Sequence, residues 1–350
     1  MLARYRITPI SPLMTPMMSD TIFGHFCWAL EQRRGAAHLE AFLASFDGES
    51  KAPVLFSSAF PAEHLPRPVL PPPTEGERRE LVENYFLRGT MGNKDNASEK
   101  QLLLNGWTIL KAWRRRRLIS LEDWLALKDG YSELGFLERL ANRQEPMEEI
   151  PQTINTVETS NTISRASGQV TEESGGLFVR EKQWFTDGAQ LDLYVAVNEA
   201  DLVDDVEWFL CNYLPQNGFG KDKSIGMGAL SIVRDTAFDE TLFDTPGANA
   251  QLALSLTAFD GMGALPARYD LCTKFGKLGG TFAVCGPEGG NPRPFKKPLL
   301  MIQPGGVFFT LKPLDKASLL ADVHSDARIR HCGIPVTVPL IVKEVERYVH

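Results

Sequence analysis

Apolar and polar positions alternate along Leu2–Ile10, which predicts a strand, and Pro9, Pro12 and Pro16 close it. From Ser19 the spacing becomes helical, with Ile22, Phe23, Phe26, Cys27 and Leu30 on one face and an end near Arg34. Ser19-Asp20 stands where an N-cap belongs. Pro53–Phe60 reads as a second strand, and the proline-rich stretch from Pro61 to Pro73 as extended loop. Alternation returns after Ala189, where Leu191, Leu193, Val195 and Val197 face away from Asp192, Tyr194 and Ala196, as in a half-buried strand. Asp201 is placed to cap a helix in which Leu202, Val206, Phe209, Leu210 and Tyr213 share a face, and Gly228–Arg234 reads as the strand after it. This order predicts an α+β chain whose residues 1–235 form a ferredoxin-like (RRM-like) βαββαβ domain with an insertion at about 74–188.

The first part of the insertion, Thr74 to Met147, is charged and helix-compatible, and Glu83–Lys100 has the glycines and polar residues of a mobile loop. Lys111-Ala-Trp-Arg-Arg-Arg-Arg-Leu118 is its densest element. Four consecutive arginines on a helix spread around it, as a solvated surface or as a contact for RNA or a partner. A polar linker from Asp235 to Ala250 leads to a second region, 250–350, with strands expected at Gln251–Phe259, Gly280–Val284, Gly305–Leu311 and Ile334–Glu344.

The chain's 350 residues suffice for two domains, and a hydrophobic fraction of 43% fits a globular protein. No apolar run approaches the roughly 20 residues that span a bilayer, and the first residues lack a signal-peptide core, so a cytoplasmic protein is expected. Cysteines at 27, 211, 272, 285 and 332 form no CxxC pair and read as reduced, mostly buried thiols, with no structural metal. A net charge of −7 leaves room for nucleic-acid binding only as a local basic groove, and it also suits a subunit that docks on other proteins.

The candidate chemistry centres on Gly218-Phe-Gly-Lys-Asp-Lys-Ser-Ile-Gly-Met-Gly228. It is not a P-loop, because Pro215 replaces the first glycine and Asp222 the hydroxyl residue. Nor is it a dinucleotide fingerprint, since Lys223 stands where the third glycine belongs. Lys221, Lys223 and the N–H groups of Gly218, Gly220, Gly226 and Gly228 suit the phosphates of a nucleic-acid chain. Ser224 can donate to a phosphate or 2′-hydroxyl, and Phe219 either stacks on a base or folds into the core. Ser19 and Thr21 open a helix whose N–H groups attract anions, with Asp20 the better capping residue. Asn161 and Arg165 lie in a polar loop that either holds RNA or is plain surface, and Lys296 and Lys297 face RNA or a neighbouring subunit. His25 is either a packing residue or a general base for RNA cleavage without a metal.

Several stretches together resemble the RAMP superfamily of CRISPR RNA-binding proteins. The glycine-rich loop lies between the last helix and last strand of the predicted domain. Met18-Ser-Asp-Thr-Ile-Phe-Gly-His-Phe-Cys-Trp28, Phe56-Ser-Ser-Ala-Phe-Pro61 with Leu65-Pro-Arg-Pro68, and Asn161–Gly168 with Gly176-Leu-Phe178 are similar to the Csm-type (type III-A) subunit that caps the crRNA 5′ handle. So is Phe295-Lys-Lys-Pro-Leu-Leu-Met301 with Gly305-Gly-Val-Phe308, which resembles a second RAMP domain. Lys221-Asp222-Lys223 departs from the family's more glycine-rich run. The resemblance implies two RAMP domains, with a thumb inserted in the first, and a subunit that is not an enzyme and needs no cofactor. It implies as partners crRNA, the large polymerase-like Cas subunit, a backbone RAMP subunit and target RNA near the thumb, with no membrane. The alternatives are a crRNA-processing endoribonuclease using His25 and a protein-docking adaptor that touches no RNA.

Overall fold

The computed structural model describes residues 1–47, 50–89, 98–147, 153–161, 163, 167–170, 176–259, 265–283, 294–316 and 318–348. The chain begins with β1 (Leu2–Pro9), which buries every second side chain. Helix α1 (Ser19–Arg34) buries Ile22, Phe23, Phe26, Ala29 and Leu30, the face expected from their spacing. Its start differs from the expectation. Met18 occupies the cap position without a side-chain bond. The Ser19 hydroxyl instead accepts the Leu256 N–H at 2.9 Å, and Asp20 pairs with Lys274 at 3.0 Å. Both are drawn onto the C-terminal region, where burial makes an unmet polar group costly.

After α2 (Ala36–Ala44), the single strand expected over 53–60 is split into β2 (Val54–Phe56) and β3 (Phe60–Pro61). Between them the Ser57 N–H bonds Tyr194 while the Ser58 N–H bonds Leu254, so the backbone passes from one sheet to another. The stretch expected to be loop contains β4 (His64–Pro66).

The insertion opens with α3 (Glu75–Val82), which a Thr74–Glu77 capping box starts and a π turn at Glu83–Leu87 extends. The mobile loop expected at 83–100 is therefore helical at both ends, and its residues 90–97 lie outside those described. Helix α4 (Glu99–Trp113) stops before the arginine run, which thus does not wrap around a helix. The chain turns there into β5 (Leu118–Ser120), paired with β4, and continues through α5 (Leu121–Leu127) and α6 (Glu133–Asn142). A hairpin follows, β6 (Thr153–Asn161) with β7 (Leu177–Phe185) in nine-residue register.

Strand β8 (Leu191–Val197) re-enters the first sheet. A helical run then passes through α7 (Val203–Trp208), a π turn and α8 (Leu214–Asn217) before β9 (Leu230–Arg234). Asp201 caps nothing, because the run begins with a 3₁₀ turn at Ala200–Leu202. The sheet order is β2-β8-β1-β9, antiparallel throughout, with α1 crossing after β1 and α7–α8 after β8. β8 is buried on both faces rather than one, since Tyr194 packs on Phe238 and Phe243 of the expected linker.

The C-terminal region contributes β10 (Ala250–Ala253), β11 (Ala267–Arg268), β12 (Leu271–Lys274), β13 (Leu299–Ile302), β14 (Val307–Phe308) and β15 (Thr337–Leu340). They form a β11-β14-β10-β15 sheet and a separate β12–β13 pair. The strand expected at 280–284 is a 3₁₀ turn over Gly280–Ala283, where Phe282 packs on Trp28. Among the described residues this region has no α-helix, unlike a βαββαβ unit. One hydrophobic core joins both parts of the chain, running from Phe26, Phe56 and Phe209 to Leu252, Leu254 and Val338. Among the described residues no helix is long and apolar enough to cross a membrane.

Candidate nucleic-acid interface

The glycine-rich loop leaves α8 at Gly218 and re-enters the sheet at Leu230 through a tight neck. The Phe219 N–H bonds the Gly228 carbonyl at 2.8 Å, and the Gly228 N–H bonds Pro12 at 3.0 Å. Gly228 has φ +72°, and a Cβ there would lie 2.0 Å from the Phe219 oxygen. Gly220, at φ +81°, would place a Cβ 2.7 Å from Thr15. Gly228 is glycine because the two arms of the loop nearly touch there, and Gly220 because the loop presses against Thr15.

The same neck overturns two expectations. The Gly218, Gly226 and Gly228 N–H groups donate to Leu214, Lys223 and Pro12 carbonyls, and the Gly220 N–H donates to His25 Nε2 at 3.3 Å. None of the four is left for a phosphate. Phe219 is fully buried with its ring 4.7 Å from that of His25, so it belongs to the core and stacks on no base. What the loop presents outward is its tip, where Lys221, Lys223 and Ser224 are exposed. Asp222, in a left-handed conformation at φ +62°, turns between the two lysines. Desolvation lowers the Lys223 pKa somewhat, and an adjacent phosphate would favour its charged form.

His25 is half-buried, and desolvation first, then the Lys223 charge, pushes its pKa down to about 4. Its Nε2 accepts the Gly220 N–H, so the imidazole holds the loop to α1 as a neutral ring.

The β6–β7 hairpin stands beside the loop. Leu13 and Gln183 exchange two backbone bonds at 3.0 and 2.9 Å, and the Arg180 guanidinium pairs with Asp222 at 3.4 Å. Asn161 is exposed at the distal end of β6, opposite Leu177, while Arg165 lies outside the described residues. Val157, Leu177 and Val179 on one face and Ile154 and Trp184 on the other are exposed. The hairpin thus carries apolar groups into solvent rather than into the core.

Other expected contact residues are elsewhere. Ser19 is buried, and Thr21 accepts the Lys274 ammonium at 3.3 Å, so both join α1 to the C-terminal region. Lys296 is half-buried with its ammonium turned inward, 2.7 Å from the Arg330 carbonyl, and desolvation lowers its pKa. It therefore faces neither RNA nor a neighbour. Lys297 is exposed and paired with Asp322 at 2.7 Å. Arg180 and Thr15 escaped the sequence reading, although the alternation across Leu177–Phe185 was a visible signal for a strand carrying Arg180.

No protein-family model matches the sequence, and no curated protein matches it either. Solved structures do match in fold. A chain of the Csm1–Csm4 cassette in complex with cA4 aligns with a TM-score of 0.54 at 14% identity, covering 98% of this chain and 100% of that one. A chain of the Csm3–Csm4 subcomplex of the type III-A CRISPR-Cas interference complex aligns at 0.52 and 13% identity, covering 97% and 99%. The architecture is therefore an α+β fold shared with chains of these type III CRISPR complexes. Csm4 is the component that both complexes contain, and the chain has the fold of a Csm4-like subunit.

Proposed function

We propose that this protein is a non-catalytic subunit of a type III-A CRISPR ribonucleoprotein that grips the 5′ handle of crRNA with the 221–225 tip. On this reading the β2-β8-β1-β9 sheet with α1 and α7–α8 is the first, ferredoxin-like RAMP domain, and residues 250–350 are a reduced second one. The β6–β7 hairpin is the thumb, set where target RNA meets the guide. The subunit joins a Csm1-type large subunit to a Csm3-type backbone subunit and so serves antiviral defence. The observation that carries this reading is the loop itself. A neck closed at Gly228 and seated on Thr15 at Gly220 holds Lys221, Lys223 and Ser224 outward beside an exposed hairpin, in a chain whose fold matches chains of such complexes end to end. A neutral His25 whose Nε2 already accepts a backbone N–H favours a structural role over general-base catalysis.

Salt dependence of binding to repeat-derived RNA tests it. For single strands each phosphate contact contributes about 0.7 to the log–log slope, so Lys221→Glu with Lys223→Glu should lower the slope by about 1.4. A double variant that keeps the wild-type slope and affinity removes the loop from the interface.

A further inference from the structure

The arginine run is divided by the fold. Arg116 pairs with Glu145 at 3.4 Å and Arg117 with Asp270, which makes both structural. Arg114 and Arg115 have no carboxylate partner among the described residues, and they continue a stripe along α4. At 100° per residue, Lys100, Leu104, Trp107 and Lys111 fall within about 60° of arc, and Arg114 and Arg115 follow in the turn that ends the helix. The opposite face, with Leu102, Gly106, Leu110 and Trp113, is buried against the insertion. On the stripe Leu104 is 63% exposed and Trp107 37% exposed. Lys100 and Lys111 likewise have no carboxylate partner among the described residues.

This arrangement is unusual for a chain of net charge −7. On α4 its cations flank two exposed apolar side chains with no acid between them in sequence, and burial first, then the Arg78 charge, depress the Arg114 pKa against the opposing effect of Glu133. Like charges kept together destabilise a fold unless an outside counter-charge meets them. RNA would satisfy the cations but offers nothing to Leu104, whereas Trp and Arg are the residues on which protein contacts most often turn. The stripe is about 22 Å long, basic at both ends and apolar in the middle, which matches a helix-sized segment of the inverse pattern.

We propose that the outer face of α4 docks an acidic, amphipathic segment of another protein, its apolar centre on Leu104 and Trp107 and its carboxylates on Lys100, Lys111, Arg114 and Arg115. This does not rest on the RNA-binding reading, because it uses a different surface.

The test places a photoreactive benzoylphenylalanine at Trp107 of the full chain, co-expressed with its neighbouring genes, and sequences the crosslinked peptide. An acidic peptide with apolar residues at helical spacing is expected. A crosslink to RNA, to a basic or neutral peptide, or to no other protein overturns the proposal. In a second arm, Leu104→Ala with Lys111→Glu should weaken association with the crosslinked subunit at least about tenfold while repeat-RNA affinity stays within about twofold. Unchanged association in a variant with wild-type melting also overturns it. Loss of RNA binding on Lys221→Glu with Lys223→Glu, by contrast, reports only on the loop.

Discussion

Arg180 of the hairpin and Asp222 of the loop tip form an ion pair at 3.4 Å, and it joins two elements that nothing in the local sequence links. The pair also sets the charge of the tip, because Asp222 stands between Lys221 and Lys223. Asp222→Asn keeps a residue that tolerates a left-handed backbone and removes the carboxylate. It should tighten repeat-RNA binding about two- to fivefold at 0.1 M salt, as expected for one partly exposed charge, while Arg180→Ala should weaken it. Equal affinities for both variants and wild type, in a fluorescence titration, would separate the pair from binding.

The neck glycines should differ sharply in their tolerance of alanine. Gly228→Ala forces a methyl group onto the Phe219 carbonyl as well as a strained φ, so a loss of about 3 kcal/mol or more is expected in urea unfolding. Gly226 has φ +86° but open space around it, and Gly226→Ala should cost only the backbone term, about 1–2 kcal/mol. Similar losses at both sites would mean that the arms of the loop are not in contact.

Arg67 is a strut of the helical insertion. It pairs with buried Glu133, donates to the carbonyls of Trp113, Arg114 and Arg116 at 3.1, 3.3 and 3.1 Å, and lies 4.7 Å from the Phe136 ring. Arg67→Ala leaves the Glu133 carboxylate buried and unpaired, for a loss of about 3–5 kcal/mol by denaturant titration. Arg67→Met combined with Glu133→Leu should recover part of that loss, since it removes both charges. A double variant no better than Arg67→Ala would place the cost in the lost carbonyl bonds instead.

Stability should fall in mild acid for an identifiable reason. Burial holds both His25 and His331 at about 4, against 6.5 for a free imidazole. Between those values the unfolded chain binds a proton at each histidine and the folded chain does not, so stability rises with pH across this window. Each site contributes about 1.4 kcal/mol per pH unit, or about 4 kcal/mol for the two between pH 7 and 5. His25→Gln should halve the slope of unfolding free energy against pH while its amide oxygen still accepts the Gly220 N–H. An unaltered slope would mean that His25 is charged in the fold.

Much of the scaffold was legible from residue periodicity. The buried face of α1, the alternation of β1 and β8 and the position of the glycine-rich loop all follow from local patterns, because one face of each element must leave water. Local pattern could not show which polar groups the fold would use for itself. Ser19, Thr21, Lys296 and the Gly220 and Gly228 amides look available in sequence, yet each meets a partner distant along the chain, while the Gly218 and Gly226 amides close local turns. Residue chemistry alone determined that two lysines, a serine and four glycines would occupy a single turn. Tertiary packing decided that the glycines close the neck and the lysines face solvent, because backbone atoms brought within van der Waals reach leave no room for a side chain.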